Sequence, residues 1–264
     1  MKSAVFFDID GTLWDMNLTI PDSTKEAIKA LRGNGHYAFI CSGRARSFIR
    51  NPKLLDLGFD GIVCGCGCHF EMDGKMIYEK LLTSSEATNV VELVRSYGFR
   101  PILEGPKHLY MDDEEFDFND GFGNLIRAEL GKDLYTINGE HYGKWEMNKL
   151  SCDTSVDSAK RLECFEKLKP NFSIIAHNES VCELVPIGHN KATGMKKALD
   201  YLGIDVANSY AIGDSENDLD MLEAAGVGIA MGNGTDRAKA AADYVTTDLL
   251  DDGIYNALKH FELI

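Results

Sequence analysis

The stretch Ala4-Val5-Phe6-Phe7-Asp8-Ile9-Asp10-Gly11-Thr12 passes from four apolar residues straight into two carboxylates and a glycine. A short run rich in β-forming residues that stops at a charged turn predicts a buried strand ending abruptly at Asp8. Two carboxylates at the end of a buried strand are costly unless paired, hydrogen-bonded or bound to a cation. That end of an open α/β sheet is where ligands bind. Cost and location together point to a hard metal ion and a nucleophile.

Working outward, Pro21-Asp22-Ser23 starts a helix whose stripe is Ala27, Ile28 and Leu31 and which ends at Gly33 and Gly35. Tyr37–Cys41 is the next strand, running into Ser42-Gly43-Arg44, and after another helix a strand follows near Ile62-Val63. Strand, helix, strand, helix, strand predicts a parallel, doubly wound sheet. From about Leu82 the pattern changes. Helical stretches at 86–97, 122–130 and 158–168 alternate with extended pieces at 101–103, 109–111, around Leu150, at 172–176 and at 181–185. This predicts an α+β unit with an antiparallel sheet. After Gly188 the first pattern returns: a helix over 193–202, a strand Tyr210–Ile212 ending at Gly213-Asp214, a helix over 219–225, strands at 227–230 and 244–245, and a final helix to His260. The expected fold is therefore α/β, a doubly wound, Rossmann-like, mainly parallel core with an inserted α+β cap. Residues 1–81 and 189–264 form the core and 82–188 the cap.

The balance of 42 Asp+Glu against 27 Lys+Arg, a formal net charge of −15, argues against non-specific nucleic-acid binding. An anionic substrate would need local cations or a metal to approach. No apolar stretch is long enough to span a bilayer, and one Lys, four apolar residues and then Asp8 do not make a signal peptide, so a cytoplasmic location is expected. The seven cysteines, an odd number, are expected to be reduced thiols. Cys64, Cys66 and Cys68 alternate with glycines and on a strand would share one face. With no Cys-x-x-Cys pair beside them, small buried side chains are a better reading than a soft-metal site. The seven histidines show no ligand spacing, and none is assigned to catalysis. Trp14 and Trp145 are read as packing residues, with Trp145 also a candidate for the cap side of a cleft.

Four features fall at strand or helix ends on one edge of the predicted sheet: Asp8 with Asp10, Ser42 with Arg44, Lys191, and Gly213-Asp214-Ser215-Glu216-Asn217-Asp218. Carboxylates from separate strands can converge on one cation, and oxygen ligands in this number favour Mg²⁺ over zinc. Taken singly, Asp10-Gly11 and Asp214-Ser215 read equally well as turns. The ordered set resembles the haloacid dehalogenase superfamily of phosphatases, in particular the Cof-like group with a type IIB cap. Asp8-Ile9-Asp10-Gly11-Thr12 fits its first motif, Ser42 the second, Lys191 the third and Gly213–Asp218 the fourth. Met231-Gly232-Asn233 and Asp251-Asp252-Gly253 resemble the group's C-terminal pattern. The one departure is Cys66-Gly67-Cys68, where similar proteins usually carry Asn-Gly-Ala.

The resemblance implies a Mg²⁺-dependent phosphatase acting on a small phosphorylated metabolite, with sugar phosphates the leading class. Asp8 would be the nucleophile that forms an aspartyl-phosphate. Asp10 would protonate the leaving oxygen and then deprotonate water. Mg²⁺ would be held by Asp8, the Asp10 carbonyl and Asp214, with Asp218 close by. Gly11, Ser42, Gly43, Arg44, Lys191 and Asn217 form the expected phosphate-binding set. Within it, Arg44 reads equally as a surface or core–cap ion pair, and Asn217 is expected to order the Asp214 loop. Thr12 reads as a turn residue or a phosphate contact. The short stretch between Thr12 and Asp22 leaves no room for a domain, whereas that from Ser42 to Lys191 far exceeds a strand–helix return, which puts the cap between the second and third motifs. A phosphomutase or phosphotransferase of the same fold is the alternative, and a non-catalytic binding protein a third. No membrane or nucleic-acid partner is expected, and the oligomeric state reads as a monomer or weak homodimer.

Overall fold

A computed structural model describes residues 2–112, 116, 121–177 and 180–264 of the chain. The chain divides into two compact units. One comprises Met1–Gly43, Arg50–Tyr78 and His189–Ile264, the other Arg44–Ile49 and Glu79–Gly188.

The first unit is built on an eight-stranded sheet, in the order Tyr244–Val245, Val227–Ala230, Ser209–Gly213, Ala4–Phe7, Tyr37–Cys41, Gly61–Cys64, His69–Met72 and Lys75–Glu79. The pairings from Tyr244–Val245 through Gly61–Cys64 are all parallel. Ala4–Phe7 lies between Ser209–Gly213 and Tyr37–Cys41, with Phe7 level with Ile212 and Ile40. Flanked on both sides, this strand has all four residues fully buried, which explains why it reads as an unbroken apolar run. The Phe6 and Phe39 rings stack at 5.0 Å. Each such ring contributes roughly 1.5–3 kcal/mol by leaving water. The helix Lys191–Leu202 packs Met195, Ala198 and Leu199 into the same cluster.

The hairpin His69–Met72 and Lys75–Glu79 extends the sheet beyond the expected strands, with Gly61–Cys64 and His69–Met72 antiparallel. Its turn, Asp73-Gly74, has positive φ at both residues (49° and 69°), the backbone of a two-residue hairpin loop. The helix expected after Arg44 takes the form of a short turn at Arg46–Phe48 and a four-residue helix at Pro52–Leu55.

The second unit carries a six-stranded sheet in the order Phe172–Ala176, Val181–Pro186, Lys149–Asp153, Arg100–Glu104, Leu109–Tyr110 and Leu134–Tyr135, antiparallel except for its last, parallel pair. Helices Ser84–Ser96 and Ser158–Leu168 contribute Val90, Val94, Cys164 and Leu168 to a core with Leu103, Leu150 and Leu184 from the strands. A second cluster gathers Ile102, Leu109, Phe116, Ile126 and Leu130 with Ala45, which is how Arg44–Ile49 comes to belong to this unit. In the same sheet Lys149 Nζ donates to Glu104 Oε1 and Glu183 Oε2, both at 2.8 Å, and His177 lies 2.8 Å from Glu183. No helix among the described residues is long and apolar enough to cross a membrane.

Candidate active site

Asp8 is the first residue past the strand Ala4–Phe7, and its backbone N–H still donates to Ile212 O (3.0 Å), so the neighbouring strand holds it in place. Lys191 opens the helix Lys191–Leu202, whose start is held by reciprocal hydrogen bonds between Asn190 and Thr193. Its Nζ lies 2.6 Å from Asp8 Oδ1, 2.6 Å from Asp218 Oδ1 and 3.3 Å from Asn217 Oδ1. Asp218 is fully buried, and its other oxygen accepts the Asp214 and Ser215 backbone N–H groups at 3.0 Å each. Ser215 Oγ donates to Asn217 Oδ1 at 2.9 Å. The loop after the strand Ser209–Gly213 is thereby folded around one carboxylate that also meets Lys191.

Asp214 completes the group. Oxygens of Asp8, Asp214 and Asp218 all lie within 4.8 Å of one another. Among the described residues this is the only such grouping of three or more His, Cys, Asp or Glu side chains, and the seven cysteines are buried thiols outside any disulfide. Thr12 Oγ1 donates to Asp214 Oδ1 at 3.0 Å. Gly11 has φ of +85°, and a Cβ there would stand 2.4 Å from Asp214 Oδ2, so only glycine lets the first loop approach this carboxylate.

The electrostatics follow from three carboxylates sharing one ammonium group. Burial pushes the Asp8 acid well above its usual range, Asp218 adds to this, and Lys191 only partly offsets it. Burial, with Asp218, also pushes Asp214 up to about 7 against the Thr12 hydrogen bond. Burial disfavours the Lys191 charge, but Asp218 and Asp8 overcome it and hold the group well above its ordinary value. A site that crowds acids beyond what its lysine neutralises fits a hard divalent cation, which favours clustered oxygen ligands.

The remaining expected residues fall in different places. Asp10 is solvent-exposed, and its Oδ1 accepts the Trp14 indole N–H at 2.8 Å. Ser42 and Gly43 are buried just past the strand Tyr37–Cys41, with Ser42 N–H on Val63 O and Ser42 O on Cys66 N–H. Arg44 belongs to the second unit, paired with Glu129 (3.3 Å) and lying over the Phe48 ring at 4.5 Å. The Arg44–Glu129 pair lies within the second unit. At the departure noted above, Cys66 and Gly67 both have positive φ (51° and 77°), and a Cβ on Gly67 would lie 2.2 Å from Asn190 O. The turn therefore presses on the residue that starts the Lys191 helix.

Three contacts escaped the sequence reading: Trp14 with Asp10, Thr12 with Asp214, and Asn233, which donates to Gly11 O and accepts Leu249 N–H, both at 2.8 Å. Asn233 does carry a signal, because it closes the Met231-Gly232-Asn233 pattern. Trp14 carried no signal, because loop residues have no period to read.

A family model described as haloacid dehalogenase-like hydrolase matches residues 5–258. The chain is 30% identical over 263 residues to YkrA of Bacillus subtilis (strain 168), covering 98% of each protein. It is also 30% identical over 275 residues to YitU of the same organism, named a 5-amino-6-(5-phospho-D-ribitylamino)uracil phosphatase, covering 97% of this chain and 96% of that one. Among solved structures, the chain is similar to the HAD subclass IIB sugar phosphatase BT4131, with a TM-score of 0.82, 26% identity and complete coverage of both chains.

Proposed function

We propose, from the premise that this chain belongs to the haloacid dehalogenase-like hydrolase family and is a phosphatase, that it is a Mg²⁺-dependent enzyme. Its substrate is a small phosphorylated metabolite of the sugar- or polyol-phosphate class, and the reaction runs through an aspartyl-phosphate. The observation that carries this reading is the buried Asp8 carboxylate at its strand end, bridged by Lys191 to Asp218 and beside Asp214. The substrate class draws on YitU and BT4131, whose named activities are on a phosphoribityl compound and on sugar phosphates.

Asp8 attacks phosphorus and the bond to the leaving oxygen breaks, which divides one displacement into two. Asp10 gives its proton to that oxygen, then takes one from the water that cleaves the aspartyl-phosphate. Lys191 holds Asp8 in place and supplies fixed positive charge for the phosphoryl oxygens. Ser42 and the backbone N–H groups after Asp8 bind those oxygens, with Gly43 permitting the approach at Ser42. Asn217 orders the Asp214 loop. Asp8, Asp214 and the Asp10 carbonyl would hold Mg²⁺, with Asp218 beside them. Bound there, the cation would neutralise phosphate charge and keep Asp8 ionised at neutral pH. Residues 82–188 are assigned the recognition of the organic part of the substrate.

The test is turnover of a panel of phosphorylated metabolites with Mg²⁺, for the protein and for Asp8→Asn. We expect inorganic phosphate to accumulate with a subset of sugar or polyol phosphates. The variant should keep its fold but lose at least about a thousandfold in turnover. An isomeric sugar phosphate in place of inorganic phosphate would instead establish the phosphomutase reading. Undiminished turnover by Asp8→Asn would remove Asp8 as nucleophile.

A further inference from the structure

The loop after Asp8 folds back on itself. Leu13 and Trp14 N–H groups donate to Ile9 O at 2.9 and 3.2 Å, and Gly11 N–H donates to Trp14 O at 2.9 Å. These bonds form a one-residue parallel bridge between Asp10 and Trp14. The bridge leaves Trp14 only 2% exposed while Asp10 stays open to solvent. The rigid buried ring therefore aims its one polar atom at an exposed carboxylate, with Nε1 2.8 Å from Asp10 Oδ1.

We propose that Trp14 is the positioning residue for Asp10: its indole N–H holds Oδ1 as an acceptor and fixes the carboxylate, with the transferable proton on Oδ2. The proposal rests on the reading of Asp10 as the acid and base of the reaction. An indole nitrogen donates and cannot accept, so Oδ1 must act as acceptor throughout the cycle. In the first half, the bond from phosphorus to the leaving oxygen breaks, the Asp8–phosphorus bond forms, and the Oδ2 proton passes to the leaving oxygen. In the second half, water oxygen bonds to phosphorus, its proton returns to Oδ2, and the Asp8–phosphorus bond breaks. The sum is phosphate ester plus water giving alcohol plus phosphate, with Asp10 restored. The indole hydrogen bond restrains rotation about χ1 and χ2, so the same oxygen meets both half-reactions. Proton transfer by a positioned group contributes 10²–10⁴-fold, so loss of the position has measurable consequences. The bland role for this contact is satisfaction of a buried indole N–H.

The experiment compares kcat/KM for Trp14→Phe, Asp10→Asn and the double variant on an alkyl phosphate and on p-nitrophenyl phosphate. Over the steps through ester cleavage, only the alkyl leaving group needs a proton. We expect Trp14→Phe to lose about 10- to 100-fold on the alkyl ester and at least about tenfold less on the aryl ester. The double variant should lose no more on the alkyl ester than Asp10→Asn alone, because Trp14 acts through Asp10. Equal losses on the two esters, or losses that multiply in the double variant, would overturn the proposal and leave Asp10 as acid and base. Undiminished alkyl-ester turnover by Asp10→Asn would instead overturn the underlying reading. Should Trp14→Phe fail to fold, benzothienylalanine placed at position 14 keeps the ring shape, removes the N–H donor and should give the same pattern.

Discussion

Lys191 Nζ stands 2.6 Å from Asp8 Oδ1, across 183 positions of sequence, and both groups are almost wholly shielded from water. The same nitrogen is 2.6 Å from Asp218. One cation thus spans the two strand ends that carry the acids, and neither carboxylate sits buried without a partner.

Replacing this lysine should therefore damage fold and chemistry together. Lys191→Met leaves buried carboxylates without their cation, and breaking a buried pair in this way costs about 3–5 kcal/mol. It also removes fixed positive charge from the proposed phosphoryl site, worth at least about 100-fold in turnover. Denaturant unfolding and steady-state kinetics on the metabolite panel measure the two losses. Wild-type stability with near wild-type turnover would show that Asp8 and Asp218 do not depend on Lys191.

The turn Gly65–Cys68 should matter to the site through its close backbone approach to Asn190. A Cβ at Gly67 meets Asn190 O at 2.2 Å, and the left-handed backbone alone costs a non-glycine residue about 1–2 kcal/mol. Relief of the clash requires Asn190 to move, and Lys191 moves with it. Gly67→Ala is expected to lower the unfolding midpoint and also to reduce kcat. As a control, alanine at Gly203, a left-handed helix C-cap with no atom near its missing Cβ, should cost stability and leave kcat as it was. A kcat unchanged in both variants would disconnect the turn from Lys191.

Asp8 was legible in the sequence because the strand before it is buried on both faces and so reads as an unbroken apolar run, with its end marked by charge. Lys191 and Asp214 were legible by resemblance and by their places at element ends. The hairpin His69–Glu79 was missed despite Asp73-Gly74, because its second strand leaves Lys75, Met76 and Ile77 exposed and so shows no alternation. Arg44 could not be assigned to one role, since its partner Glu129 is 85 positions away and no local pattern announces it. The Trp14–Asp10 contact depends on how one loop folds back, and the Lys149 cluster on register across three strands. Neither leaves a periodic trace.

In the second unit, Lys149 should prove structural. Burial alone would raise the Glu183 acid, but Lys149 and His177 overcome it and hold the group well below the usual carboxylate range. A depressed folded value means that this contribution is fully present above about pH 4.5 and is lost as pH falls below that. Lys149→Met should cost about 3–5 kcal/mol at pH 7 by taking the ammonium group away from Glu104 and Glu183. Its deficit should narrow as pH drops toward 3. Urea midpoints at pH 7 and pH 3 measure this, and a deficit that stays constant with pH would rule out the ion pair as its source.

Asp214 should give the opposite slope. Its folded value of about 7 lies above its unfolded one, so between about pH 4 and 7 the folded, metal-free protein keeps a proton that the unfolded chain has released. The stability this provides is fully present below about pH 4 and is lost as pH rises through 7. Asp8 is shifted in the same direction. A divalent cation needs these carboxylates ionised, so Mg²⁺ must expel protons to bind at pH 6 and expels few at pH 8. Calorimetric titration at pH 6 in two buffers of different ionisation enthalpy should report proton release, and Mg²⁺ should raise the melting temperature more at pH 8 than at pH 6. Asp214→Asn, which removes one like charge from the cluster, should be more stable than the wild type in metal-free buffer at pH 8 and should lose most of its response to Mg²⁺. Heats at pH 6 that do not depend on the buffer would show that no acid in the Asp8–Asp214–Asp218 group gives up a proton to the metal.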